Sequence, residues 1–353
     1  MSSATAATAT AATATAAPPP ARPTVAIVSV NFNQTALTLE MLASVERAGL
    51  PAWCEVWVVD NASEVDGSPV LAEAYPWVRT LRSEENLGFA GGNNLAIRRT
   101  RAEFVFLLNN DALIDAGVLE GLVDRFRANA HAVARGGQPL GAVSPVIYDY
   151  PQRAGAPTIQ YAGATAVSHL TGRNATLLRG EPAGRQGSGL QPVAYAHGAA
   201  MLVPRAVVEA VGSIDEDFFL YYEELDWCER IRAAGYAIAL DADRAVWHRE
   251  SVSTGGDSAF KTYWINRSRI LFMRRNKPAW AALAFRAFYL LGVVPLHGAR
   301  HVLAGRWAHA RALVRAWTEQ PRRARTGATD PGAAEASPRV TSEPALAGAA
   351  LEA

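Results

Sequence analysis

The chain carries only two cysteines in 353 residues, Cys54 and Cys228, far apart and without a C-x-x-C spacing. That excludes a disulfide framework and a thiolate metal site. It has no G-x-G-x-x-G fingerprint, which disfavours a dinucleotide fold. It has almost no net charge, +1, which argues against wholesale nucleic-acid binding. Residues 1–23 contain neither a basic n-region nor a Leu/Val/Ile/Phe h-region, so a secretory signal is not expected. These residues are almost wholly Ala, Thr, Ser and Pro, and residues 319–353 are rich in Ala, Arg, Pro, Glu and Gly. Both ends read as disordered tails. No internal repeat is present.

What remains is 50% hydrophobic overall, enough for one large domain or two modest ones. "VAIVSV" (25–30), "EVWVVD" (55–60) and "FVFLLNND" (104–111) are short continuous apolar runs, as expected of strands buried on both faces of a parallel sheet. Helical stretches at 35–49 and 92–102 separate them, predicting a doubly wound α/β sheet. Ligands bind beyond the carboxyl ends of such strands, where Asn31, Asp60 and Asp111 stand. After Gly141 the alternation loosens into an expected antiparallel extension, then a helix at 223–235 and a strand ending at His248. Basic, apolar-rich helices follow to about residue 318. From Lys261 to Arg323 thirteen Lys/Arg face one acid, Glu319, which points to a local anionic partner.

Several clusters carry chemistry. In "ENLGFAGGNN" (85–94), Gly88, Gly91 and Gly92 permit close backbone approach, and Asn93 opens a helix whose N-terminus suits phosphate. Asn109, Asn110 and Asp111 end a strand with three oxygen-bearing side chains. A hard divalent cation bridging a diphosphate wants such ligands, although a plain turn uses the same residues. His248 closes a later strand and reads as a metal or diphosphate contact. In "FFLYYEELDWCERIRAAGY" (218–236), helical phase places Glu224 with Trp227, Cys228 and Ile231 on the apolar stripe. Glu223, Asp226 and Arg230 fall on another face, with Asp226 and Arg230 able to pair at i, i+4. Glu224 is thus the inward acid, placed to act as a general base, while Glu223 and Asp226 are expected to be solvated or paired. Arg267 and Arg269 either add positive charge at a diphosphate or form a basic helix face.

Taken in order, "VSVNFN", "VVDNAS", "ENLGFAGGNN", "LLNND", "GAAMLVPR", "FFLYYEELDWCERIRAAGY" and "VWHRES" resemble the family 2 inverting glycosyltransferases, in their rhamnosyltransferase-like branch. The resemblance spans about Val25 to Asn276. It implies a GT-A fold, a nucleotide-diphosphate sugar donor and a Mg2+ or Mn2+ cofactor. It also implies a glycan or polyprenyl-diphosphate-linked acceptor, and work in the cytoplasm or on the inner face of the membrane. By the same resemblance Asp60 contacts the nucleobase and Asn31 the ribose region. Gly88, Phe89, Gly92 and Asn93 cradle the nucleotide, with Asn109 and Asn110 beside it. Asp111 binds the metal with His248 assisting, and Glu224 is the base. Asn109 stands where the family has the first Asp of its D-x-D element, and Glu224 where it usually has Asp. The domain is then expected over 24–265, with the basic helices over 266–318.

Two rival readings are weaker. A sugar nucleotidyltransferase calls for a Gly-rich, Arg/Lys-bearing loop after the first strand, and "VNFNQTALT" has neither Gly nor Arg. A non-catalytic sugar-nucleotide or glycan-binding protein does not need Glu224, Asp111 and His248, although Asn109 would suit it. The apolar run "AFYLLGVVPL" (287–296) is shorter than the roughly 20 residues a bilayer span needs. It is expected either to lie at a membrane surface or to pack on the domain.

Overall fold

The computed structural model of the chain describes residues 24–150, 157–249 and 258–321; the expected tails over 1–23 and beyond 321 lie outside the described residues. The first part alternates as anticipated: β1 (Val25–Asn31), α1 (Thr35–Arg47), β2 (Cys54–Asn61), α2 (Ser68–Ala74), β3 (Val78–Ser83), α3 (Gly88–Arg99) and β4 (Phe104–Leu108). β1 and β4 are buried almost throughout, which is why their sequences show apolar runs and no polar alternation. The parallel pairing of β1 with β2 sets Asn31 opposite Asp60, so two polar residues meet at the carboxyl ends of an otherwise apolar sheet.

Next come β5 (Ala112–Ile114), α4 (Val118–Val133), β6 (Leu140–Asp149), β7 (Ile159–Tyr161), β8 (Leu190–Pro192), β9 (Ala200–Pro204), α5 (Arg205–Val211), α6 (Glu223–Ala233) and β10 (Ala237–His248). The strand order is β3-β2-β1-β4-β9-β6-β10-β5, with β7 on β6 and β8 on β10. The expected antiparallel extension is present. β9 runs antiparallel to β4 and β6, while β10 is parallel to β6 and antiparallel to β5. The β5–β10 register sets His248 opposite Ala112, beside Asp111.

The C-terminal part comprises α7 (Ala259–Asn276), α8 (Ala279–Phe288), a π-helical turn (Tyr289–Val293), α9 (Val294–Leu303) and α10 (Trp307–Thr318). α7 runs unbroken across residue 265, where a domain boundary was expected. Glu319 and Gln320, assigned from sequence to the tail, bond to Tyr263 and to the Arg267 carbonyl on α7. The run called too short for a bilayer belongs to a longer helix. Ala279–Leu303 is continuous over 25 residues, and its most apolar 18-residue window has a mean hydropathy of 1.6, long and apolar enough to cross a membrane by length and composition. Pro295 lies in the first turn of α9 just after the π turn, where a missing N–H is tolerated. One face of this helix, Ala281, Phe285, Tyr289 and Val293, is buried, and Tyr289 stacks on Trp317 of α10. Leu291 and Leu303 are 81% and 88% exposed.

Candidate active site

At the tips of β1 and β2, Asp60 accepts four hydrogen bonds: from Asn31 Nδ2 (2.9 Å), the Ser63 and Gly67 amides (3.0 and 3.2 Å) and Arg82 Nη1 (2.6 Å). Asn31 Oδ1 in turn accepts from the Thr38 hydroxyl, and Asn110 donates to the same hydroxyl at 3.2 Å. Both asparagines and Asp60 are buried. Their polar atoms form one network that ties the strand tips to α1. Arg82, which closes the network, was missed from sequence, although β3 pairing sets it opposite Asp60.

In the glycine-rich stretch the backbone is closely approached by other parts of the chain. Gly88 has φ +67°, and a Cβ there would overlap the Phe219 carbonyl. A Cβ on Gly92 would crowd Val30, and Asn93 donates to the Phe89 carbonyl within its own helix. Glycine is required at 88 because the segment leading to the acidic helix crosses it, with Phe89 N donating to Phe219 O at 2.8 Å.

Asp111 and His248 do meet. His248 Nε2 lies 3.1 Å from Asp111 Oδ1 and 3.1 Å from Asn109 Nδ2. Nδ1 faces Gln160 Oε1 at 2.6 Å, and Gln160 is oriented by donating to Asp149 and the His248 carbonyl. Nδ1 thus faces an acceptor and Nε2 a carboxylate oxygen, an arrangement favoured by either a proton or a metal cation at Nε2. Among the described residues no group of three His, Cys, Asp or Glu side chains gathers as a metal site. Asp111 and His248 are two side chains of the kinds that divalent ions accept as ligands. Gln160 was not legible as their support.

The acids at 223–226 correct the helical-phase reading. Glu223 and Asp226 are buried and Glu224 is half-buried. Asp226 pairs with Arg230 at 2.8 Å, as expected, but the pair is enclosed because Asn276 of α7 also donates to Asp226 at 2.7 Å. α7 covers the face that periodicity leaves to solvent. Oε2 of both Glu223 and Glu224 is buried without a hydrogen-bond partner. Burial pushes both carboxyls up, that of Glu223 the further because the Glu224 charge adds to the effect. The amides of Glu224 and Leu225, at the start of α6, pull Glu224 back. Two adjacent buried carboxyls resist carrying two negative charges at once, and the amides at the start of α6 favour the charge on Glu224. Tyr221 and Tyr222, both at φ +67°, hold the turn ahead of them at a cost of roughly 1–2 kcal/mol per residue.

Glu224 connects to the metal-type pair through one short segment. The Phe89 ring and the Glu224 Cβ both flank Gly198. Asn109 N donates to Ala199 O, and the His197 ring lies 6.2 Å from that of His248. Burial, with His248 beside it, lowers the His197 pKa to about 3, so it stays a neutral spacer. The structure therefore gathers Glu224, Phe89, Asn109, Asp111 and His248. It does not bring in Arg267, which donates to the Asp217 and Glu319 carbonyls, or Arg269, which is buried beside Asn266.

A family model described as glycosyl transferase family 2 matches residues 26–212. The N-acetylglucosaminyl-diphospho-decaprenol L-rhamnosyltransferase of Mycobacterium tuberculosis is 29% identical over 245 residues, covering 64% of this chain and 76% of that protein. The low-salt glycan biosynthesis hexosyltransferase Agl10 of Haloferax volcanii is 29% identical over 227 residues, covering 62% and 66%. The crystal structure of GalNAc-T7 with UDP, GalNAc and Mn2+ superposes with a TM-score of 0.57 at 12% identity, over 73% of this chain and 48% of that one. That likeness is one of fold. The family match covers over half of the chain, which belongs to glycosyl transferase family 2 and is a glycosyltransferase of GT-A fold.

Proposed function

We propose that the chain is an inverting glycosyltransferase that moves a hexose from a nucleotide-diphosphate donor to a hydroxyl of a polyprenyl-diphosphate-linked glycan. In this reading the sugar is L-rhamnose from dTDP-rhamnose and the product belongs to cell-surface polysaccharide synthesis. The two named relatives, a rhamnosyltransferase acting on a diphospho-decaprenol acceptor and a hexosyltransferase, support it. The single observation that carries it is the buried carboxylate pair at the start of α6, with both Oε2 atoms unpartnered.

Glu224, on which the amides favour the charge, takes the proton of the acceptor hydroxyl. The acceptor oxygen bonds to the anomeric carbon on the face opposite the leaving group, and the carbon–oxygen bond to the nucleoside diphosphate breaks with its electron pair. Glu223 keeps its proton and excludes a second negative charge. Asp111 and His248 are the residues that would hold Mg2+ or Mn2+, and the ion would neutralise the departing diphosphate. Phe89 and Gly198 line the approach beside Glu224. The exposed leucines of Ala279–Leu303 suit peripheral contact with the inner face of the cell membrane, where a polyprenyl acceptor resides.

The test is transfer from dTDP-, UDP- and GDP-sugars to a prenyl-diphosphate-linked N-acetylglucosamine, with the anomeric configuration of the product read by NMR. Inversion with one donor is expected. Transfer with retention, or release of nucleotide without a glycosylated acceptor from every donor, would contradict the proposal.

A further inference from the structure

A cavity lies among the C-terminal helices α7, α9 and α10, beside the loop that carries Arg173. It has a volume of about 270 Å³ and is lined by Arg173, Lys261, Asn266, His297 and His301, among others, with no carboxylate among its described lining residues. Behind that lining, Arg269 is 3% exposed, donates to Asn266 and has its Nε without a partner. Its side chain packs under Gly172, the neighbour of Arg173, so two guanidiniums approach one another. Burial, with Arg173 beside it, lowers the Arg269 pKa. A buried cation without a counter-charge costs several kcal/mol, and an anion in the cavity would remove that cost. Tyr222 links the Arg173 loop to the acids of α6: its hydroxyl donates to the Gly172 carbonyl at 2.7 Å, and the next residue in the chain is Glu223. The rim is apolar. Leu170 on one side and Leu291 and Leu296 on the helix that supplies His297 are exposed.

We infer that this cavity binds the diphosphate of the lipid-linked acceptor, with Arg173, Lys261 and His297 on its oxygens, Arg269 as the buried counter-charge, and the prenyl chain along the leucine rim. The inference rests on the proposed acceptor class. It accounts for the concentration of basic residues after Lys261, which the donor site does not use. The anchored diphosphate would position the first sugar of the acceptor beyond Tyr222, on the side of Glu224.

The experiment uses the full chain with chelator present, so that no metal-borne diphosphate contributes. Isothermal titration compares farnesyl diphosphate, inorganic pyrophosphate and phosphatidylglycerol vesicles on wild type, Arg173→Glu and Arg173→Lys. Farnesyl diphosphate is expected to bind, pyrophosphate to bind more weakly, Arg173→Glu to weaken both at least tenfold, and Arg173→Lys to restore most of the affinity. In turnover, Arg173→Glu should raise KM for the diphosphate acceptor but not for the donor, nor for an alkyl N-acetylglucosaminide lacking diphosphate. Absence of binding, binding indifferent to Arg173→Glu, or equal losses for both acceptors would overturn the inference. Vesicle binding as tight and as Arg173-dependent as that of farnesyl diphosphate would assign the cavity to lipid headgroups and also overturn it. If titration behaves as expected while no donor supports transfer, the proposed function fails and the anion site stands.

Discussion

His248 Nε2 and Asp111 Oδ1 lie 3.1 Å apart, brought together by the antiparallel pairing of β10 with β5 and held by Gln160 on the far ring nitrogen. An imidazole and a carboxylate side by side are ligands of the kinds a divalent cation takes. Chelator should abolish transfer and Mn2+ restore it. Asp111→Asn and His248→Ala should each weaken Mn2+ binding, measured as free Mn2+ by electron paramagnetic resonance with nucleotide present. Gln160→Leu, which removes the acceptor facing Nδ1 together with the bonds that orient it, should weaken it by about 10- to 100-fold. Unchanged Mn2+ affinity in all three would place the ion elsewhere.

The buried Glu223 makes a pH-dependent stability prediction. Its native pKa is raised, chiefly by burial, so the stability linked to it is full below the ordinary carboxylate value. That stability is lost as pH rises from there through the raised native value. Glu223→Gln mimics the protonated acid and does not lose it. The melting temperature of Glu223→Gln relative to wild type should therefore rise with pH, from little difference near pH 4 to several degrees above neutrality. A difference that shrinks with pH would show that Glu223 is ionised in the native state.

Arg82 supplies the charged donor among the four that hold Asp60. Arg82→Ala leaves that carboxylate buried on three neutral donors and should cost about 1–3 kcal/mol, read by urea denaturation. If stability is unchanged, Asp60 is not the keystone of the network through Asn31, Thr38 and Asn110.

Gly88 sits where the Phe219 carbonyl crosses α3. Gly88→Ala introduces a clash as well as a left-handed alanine, and should lower both stability and kcat because the displaced segment leads into Glu223. Loss of donor affinity alone, with kcat and melting temperature intact, would instead support a nucleotide cradle there.

The sheet was legible because continuous apolar runs between helical stretches have few other solutions, and the polar strand ends mark its ligand edge. Asp111 and His248 were legible as residue types at strand ends, yet their pairing depends on a strand register that connects distant segments. The intrachain roles of the glycines and of Asn31, Asp60 and Asn110 were not legible, because a turn, a close backbone crossing and a ligand cradle all draw on Gly, Asn and Asp. Helical periodicity marked Glu224 as inward. It could not reveal that α7, some forty residues later, would enclose Glu223 and Asp226 as well, since a single helix carries no signal of what later packs on it. Arg269 was read either as charge for a diphosphate or as part of a basic helix face, and its burial, with Nε unpartnered, was not legible.

The central claim is that Glu224 is the base and Glu223 its protonated neighbour. Its most direct test is the glycosyl-transfer rate of Glu224→Gln and Glu223→Gln side by side, with donor affinity measured for both. Glu224→Gln should lose about 10²- to 10⁴-fold in kcat while binding donor normally, and Glu223→Gln should keep most of its activity. Near wild-type transfer by Glu224→Gln together with an inactive Glu223→Gln would contradict the account and move the base to Glu223.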